Sequence, residues 1–311
     1  MLSIPEVGFR QSVSVSRVDS NASADWLEAS VLFDGPELSR GDVVDLLLEE
    51  QICGDGNQDL AHQIAEEAWR ELERRQRWGG LPETVEVSNS KIVDVEHWHQ
   101  DVIRAFFVLL AIQKIFPDWS RERQSYVTQG NLFEKVVEKI CPAMLPGWNT
   151  YRAGWSTENT KRIPDIVADL TQLINVRGRG DLREWGRPED KDGGLDLVCY
   201  RDFGDGREAM PVYFLQCASG KNWRDKINTP NAEMWHKCLD SAVKPSTGIV
   251  APFVIAEGEL RRAALMGQVV VFDRIRAVSA AREFEVAIER DLYEQVIGWM
   301  EPRVRDLPRA G

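Results

Sequence analysis

From residue 126 onward, short apolar runs alternate with longer amphipathic ones, and this rhythm limits the possible folds more than any other feature of the chain. Residues 195–200 and 212–218 read as two short apolar strands, joined as a hairpin by the turn-rich segment 203–211. Residues 248–255 and 269–273 read as further strands, and 149–155 as an irregular one. Helices are expected over 129–144, 163–174, 232–243, 259–266 and 280–304, and residues 178–194 as a polar loop. Strands alternating with helices indicate an α/β domain, here with a hairpin inside a mixed sheet.

Residues 1–125 have a different pattern and are expected to be mostly helical. Ser39-Arg40-Gly41-Asp42 has the form of a capping box before the apolar run 43–48. Residues 58–78 carry Ile64, Ala68, Trp69, Leu72 and Gln76 at helical spacing, and Gly79-Gly80-Leu81-Pro82 ends that helix. Residues 84–95 alternate like a short hairpin, and 97–115 form another helix stopped by Pro117. The first 23 residues are polar and Ser-rich, lack the basic start and apolar stretch of a signal peptide, and are expected to be poorly ordered.

Charge divides the chain at the same place. The net charge of −12 argues at first against a nucleic-acid partner. Residues 1–125 hold 12 basic and 23 acidic residues, whereas 126–311 hold 26 basic and 27 acidic ones. Two domains are therefore expected: 1–125 as an acidic, mostly helical accessory domain, and 126–311 as the domain able to approach phosphates. The accessory part is expected to meet a protein partner or a second copy. No run approaches the roughly 18 apolar residues of a membrane helix. Five cysteines, at positions 53, 141, 199, 217 and 238, show neither even pairing nor metal-ligand spacing. They read as small core residues of a protein kept in a reducing cytoplasm.

Three polar side chains interrupt the apolar pattern where chemistry could use them. Asp196 stands in Gly193-Gly194-Leu195-Asp196-Leu197-Val198, with Leu195, Leu197 and Cys199 as one alternating set and Asp196 and Val198 facing the other way. Gln216 ends the run Val212-Tyr213-Phe214-Leu215 and is followed by Cys217-Ala218-Ser219-Gly220-Lys221. Glu134 lies on the edge of the apolar face formed by residues 132, 133, 136, 137, 140, 141 and 144. Taken singly, Asp196 reads as a loop cap, Gln216 as a partner for backbone groups and Glu134 as a solvated boundary residue. Their order on successive elements is what sets them apart.

That order, with Gly130-Asn131-Leu132-Phe133-Glu134, Gly194-Leu195-Asp196-Leu197-Val198 and Phe214-Leu215-Gln216-Cys217-Ala218-Ser219-Gly220-Lys221, resembles the PD-(D/E)xK nuclease superfamily over roughly residues 126–275. The resemblance implies a restriction-endonuclease-like mixed sheet flanked by helices. It also implies a metal-dependent endonuclease acting on nucleic acid, with DNA as the expected substrate and defence against foreign DNA as a role. Mg²⁺ or Mn²⁺ would be held by Asp196, Gln216, the backbone carbonyl of Cys217 and Glu134. The family's lysine two residues after the acid is absent here. Ala218 holds that position, and Lys221 is the first lysine to follow. Glu134, Asp196, Gln216 and Lys221 are thus the expected catalytic set, with Arg224, Lys226 and Arg179 as phosphate contacts. A displaced lysine also admits the alternative of an inactive, nuclease-like binding or assembly subunit. Cys217 with His236 as a thiol nucleophile, and His97-Trp98-His99 as a metal site, are weaker readings because nothing in the sequence supplies their partners.

Overall fold

The structure is a computed structural model, and it describes residues 1–5, 8–12, 15–50, 58–122, 125–185 and 187–310. Cys53 lies outside the described residues.

The N-terminal part runs β1 (Arg10–Ser12), β2 (Val15–Val18), α1 (Ser20–Phe33), β3 (Glu37–Ser39), α2 (Arg40–Glu49) and α3 (Gln58–Arg77). It continues through β4 (Val85–Val87), β5 (Lys91–Asp94), α4 (Val102–Ile112) and α5 (Pro117–Glu122). The capping box forms as expected: Ser39 accepts from the Asp42 amide, and the Asp42 carboxylate accepts from the Ser39 amide. The hairpin over 84–95 is present as β4 and β5, and β3 joins it to make a three-stranded sheet that the helical reading did not contain. Helix α4 starts at Val102 rather than at 97, because the Asp101 carboxylate caps the Arg104 amide at 3.0 Å. The first residues are tied down, against expectation. Leu2 and Ile4 are buried, the Trp26 indole N–H donates to Ser3 at 3.0 Å, and Leu2 bridges to Arg309.

The C-terminal part runs α6 (Tyr126–Met144), β6 (Asn149–Arg152), α7 (Ile163–Leu173), β7 (Arg177–Gly178), α8 (Leu182–Trp185), β8 (Leu197–Tyr200) and β9 (Val212–Cys217). Next come α9 (Ala232–Cys238), β10 (Leu239–Asp240), β11 (Ser246–Val250), α10 (Glu257–Gly267), β12 (Val269–Phe272), α11 (Arg274–Glu283) and α12 (Arg290–Arg305). The central sheet is five-stranded and mixed, in the order β12-β11-β9-β8-β6. β9, β11 and β12 are parallel, and β8 and β6 pair antiparallel. The expected hairpin is β8–β9, with Leu197 opposite Leu215. The helix expected over 280–304 is broken. Glu285 takes a left-handed backbone (φ 48°), Val286 donates back to Ala281 at 2.8 Å, and Val286 and Ile288 turn onto the core.

Both faces of the sheet are covered, as an α/β architecture requires. Leu197, Cys199, Leu215 and Cys217 point to one face, where Phe133, Val136, Val137 and Ile140 of α6 pack. Val198, Val212 and Phe214 point to the other, against Ile166, Val167 and Leu170 of α7 and Trp235 of α9. Leu195 belongs with this second group, so the expected alternation begins only at Leu197. Gly193 (φ 61°) and Gly194 (φ 74°) turn the chain immediately before the strand.

The two parts distinguished by charge share one core. The cluster beneath α6 extends without interruption to Trp26, Leu47, Leu72 and Phe106. A buried ionic network crosses the same boundary. Arg274 of α11 reaches Asp25 at 2.7 Å and Glu28 at 3.0 Å on α1, and these acids also hold Arg75 and Arg104. Trp26, Trp69, Trp98 and Trp119 are buried in this core, and Trp78 is the exposed exception among the tryptophans of residues 1–125. Among the described residues, no helix is long and apolar enough to cross a membrane.

Candidate functional site

The site forms where the carboxyl end of β9 meets the entry to β8. Asp196 precedes β8 by one residue. Its amide donates to the Leu215 carbonyl at 3.1 Å, and its own carbonyl accepts from Ala153 (2.8 Å) and Gly154 (2.9 Å), just beyond β6. These bonds fix the carboxylate beside the end of β9. There its Oδ2 accepts the Cys217 amide at 2.5 Å and the Gln216 side-chain amide. Asp196 and Gln216 are both 5% exposed, so these bonds are what make their burial tolerable.

Glu134 arrives from α6. Its carboxyl group lies against Gly154, where a Cβ would stand 2.2 Å from Oε2. The glycine is therefore the space that admits the side chain. Oε2 is buried and has no hydrogen-bond partner, and neither has the buried Oδ1 of Asn131 three residues earlier on the same helix. Two acceptors one turn apart face the interior without a donor.

Charge works against ionisation of both carboxyl groups. Burial, then the Asp192 carboxylate, push Glu134 up to about 7, while Arg152 and Lys226 pull it down. Burial, then Glu134, push Asp196 well above the usual carboxylate range, against the Cys217 amide and Lys226. Burial raises the Cys217 thiol as well, with Asp196 and Glu134 adding to it, which removes the thiolate a nucleophile would need.

The sequence-derived set divides on this geometry. Glu134, Asp196, Gln216 and Cys217 come together. The Cys217 carbonyl accepts from the Gln216 amide at 3.4 Å. Lys221 lies elsewhere, on the wall of a separate cavity with Trp223 and Arg224. Lys226, expected to grip phosphate, has its positive charge acting on both carboxylates. Arg224 is bound to Glu259 at 2.6 to 2.7 Å, and exposed Arg179 to Asp181. His97 and His99 face each other through Nδ1 at 2.8 Å, with Glu301 3.7 Å from His99.

Two charged residues escaped the sequence reading. Asp192 accepts from Trp155 and Gly194 and raises both carboxylates. Its signal was its place in Asp192-Gly193-Gly194-Leu195-Asp196, an acid at the mouth of a glycine turn. Arg152 ends β6, paired with Leu197, and nothing in its local sequence announces it.

A buried acid, Asp196, whose charge the half-buried Glu134 disfavours, beside an unpartnered carboxylate oxygen, suits a hard cation. A small divalent ion needs only one or two carboxylates and keeps its waters. Among the described residues, no three histidine, cysteine or acidic side chains gather closely enough to hold a metal by themselves. Comparison with protein-family models, characterised proteins and solved structures returns no match, so this geometry is what speaks for the function.

Proposed function

We propose that this chain is a metal-dependent nuclease of the restriction-endonuclease-like fold, hydrolysing phosphodiester bonds of DNA at the Glu134–Asp196 centre. One observation carries the reading: the half-buried Glu134, delivered by a helix, turns a buried and unpartnered Oε2 towards Gly154, the residue whose amide is bonded to the buried Asp196. Glu134, Asp196 and the Gln216 amide oxygen would hold Mg²⁺ or Mn²⁺. When bound, such an ion supplies charge neutralisation at a phosphoryl oxygen and an acidified water.

The protein's own groups prepare the rest. The Cys217 amide orients Asp196, and Gly154 leaves room for Glu134. Arg152 and Lys226 provide positive charge beside the carboxylates, where a phosphodiester would bring negative charge. Lys226, rather than Lys221, is assigned the part the family gives to its lysine. It is the lysine whose charge acts on both Glu134 and Asp196.

The test is conversion of supercoiled plasmid by the purified chain in Mg²⁺, with and without chelator. Cleavage is expected, with Glu134→Gln and Asp196→Asn each reducing it at least ~100-fold, the size of losing a main electrostatic contributor. Undiminished cleavage by either variant would show the centre to be misassigned. A second reading, an inactive nuclease-like binding subunit, is favoured by the lack of a third acidic or imidazole ligand among the described residues. It requires DNA binding with no cleavage in either metal.

A further inference from the structure

A cavity among the described residues lies apart from these carboxylates. It encloses about 760 Å³ and draws its walls from both parts of the chain. Asp19 and Ala22 come from the start of α1, and Lys114 and Ile115 follow α4. Residues 221–224 follow β9, and residues 253–259 follow β11. The sheet thus contributes through the carboxyl ends of two parallel strands, where open α/β sheets place their ligands.

Its charges are of the wrong sign for the chain as a whole. Lys114, Lys221 and Arg224 face Asp19 and Glu259, three cations against two anions, in a protein of net charge −12. Both anions are already engaged. Asp19 caps α1 by accepting the Ala22 amide at 3.0 Å, and Glu259 is held by Arg224. Lys114 is drawn to Asp25 at 3.3 Å. Among the described residues, Lys221 has neither hydrogen bond nor ion pair, and it is exposed. Beside these groups, Ile115, Phe253 and Ile255 line the cavity with narrow apolar edges, each residue no more than 4% exposed, and Lys114 Nζ stands 5.5 Å from the centre of the Phe253 ring. The opening turn of α10, whose cap Ala256 offers no side-chain acceptor, completes the lining.

We propose that this cavity binds a nucleoside phosphate, its phosphate at Lys221 and its base along Phe253 and Ile255. The volume falls within the roughly 300–1,000 Å³ of small-ligand sites. It far exceeds what inorganic phosphate fills, and the apolar edges have no use for a bare anion. The same chemistry is offered by a free nucleotide and by the 5′-phosphorylated end of a strand. The assignment is independent of the nuclease reading, because neither Glu134, Asp196 nor Gln216 lines this cavity.

Calorimetric titration of the full chain in chelator tests it, with 5′-AMP, inorganic phosphate, and an eight-nucleotide DNA with and without a 5′-phosphate. Either 5′-AMP or the phosphorylated oligonucleotide should bind at least tenfold tighter than inorganic phosphate. Whichever binds tighter identifies the source of the ligand. Lys221→Glu, an exposed change expected to leave the melting temperature unaltered, should weaken that binding at least tenfold, and Glu134→Gln should leave it unchanged. The proposal is overturned by absence of binding, by equal binding of inorganic phosphate, or by wild-type affinity in Lys221→Glu. Loss of binding in Glu134→Gln would also overturn it, because the ligand would then occupy the carboxylate centre.

Discussion

At the scale of the residue, the centre stores an electrostatic conflict that can be read out without substrate. Glu134 is held up to about 7, first by burial and then by Asp192, whereas an unfolded glutamate titrates near 4.5. Between those values the folded chain retains a proton that the unfolded chain releases. Stability therefore falls as pH rises from about 4.5 through about 7 and levels off above it. Glu134→Gln removes this dependence. Its melting temperature at pH 8 should exceed that of the wild type by about 1–2 °C, the shift that ~1 kcal/mol produces in a chain of 311 residues. A melting temperature equal to the wild type at pH 8 would mean that Glu134 is not held in conflict. Lysine choice is decided at the same scale. Lys226→Ala should lower turnover about 100-fold with little change in DNA affinity. Lys221→Ala should lower it far less, since Lys221 lines the separate cavity. Plasmid cleavage rates and filter binding on the two variants, side by side, check the assignment.

At the scale of the element, three pieces of secondary structure must stop in register for the centre to exist. α6 carries Glu134 with Phe133, Val136 and Val137 buried beneath it, so its rotation is set by packing worth about 1.5–3 kcal/mol per fully buried side chain. β6 ends at Arg152, and the glycine two residues later leaves the gap that the Glu134 carboxylate enters. Gly154→Ala therefore acts on the carboxylate and not on the fold. The nearest atoms to the new methyl belong to the tip of a side chain that can swing aside. Cleavage should fall at least tenfold while stability changes by no more than about 1 kcal/mol, the centre of the range for point substitutions, because the only close atoms to yield are at a side-chain tip. A variant that cuts normally would show that Glu134 does not need its place beside Gly154. Urea titration and plasmid cleavage on one preparation separate the two effects.

At the scale of the whole molecule, the chain is held together across its charge boundary. Asp25 and Glu28 are fully buried on α1, and cations from three elements neutralise them: Arg75 on α3, Arg104 on α4 and Arg274 on α11. Burial would raise both acids, yet the arginines bring them below the usual carboxylate range. Arg274→Met leaves two buried carboxylates short of a partner. It should destabilise the chain by about 3–5 kcal/mol, the usual cost of breaking a buried pair on one side. Because the network and the core beneath α6 both span residue 125, tryptophan fluorescence and far-ultraviolet circular dichroism should report one shared unfolding transition in the wild type. Separate transitions for the two parts would show that they fold as independent units.

Much of this was legible along the chain, and the part that was not has a consistent cause. Local periodicity carried α3, α6, β8 and β9 to within a few residues, because an amphipathic face or an apolar run is a property of neighbours in sequence. The polar interruptions at Glu134, Asp196 and Gln216 were legible for the same reason, since each breaks a pattern its neighbours establish. Residues drawn to one place from distant elements left no such trace. Asp192 and Arg152 act on Glu134 from outside its helix, and their charges read locally as ordinary solvated surface; Lys226 was legible as a basic residue but not as one acting on the carboxylates. The break at Glu285 follows from Val286 and Ile288 finding the core, not from a glycine or proline. Charge composition divided the chain at residue 125, but burial ignores composition. Arg274 pairs with Asp25 across 249 positions of sequence, and only the tertiary structure could bring them together. The α/β class and the three polar interruptions belong to the sequence alone. Which charges surround the carboxylates, and that one core serves both halves, were decided by packing, because electrostatics and burial depend on distance in space.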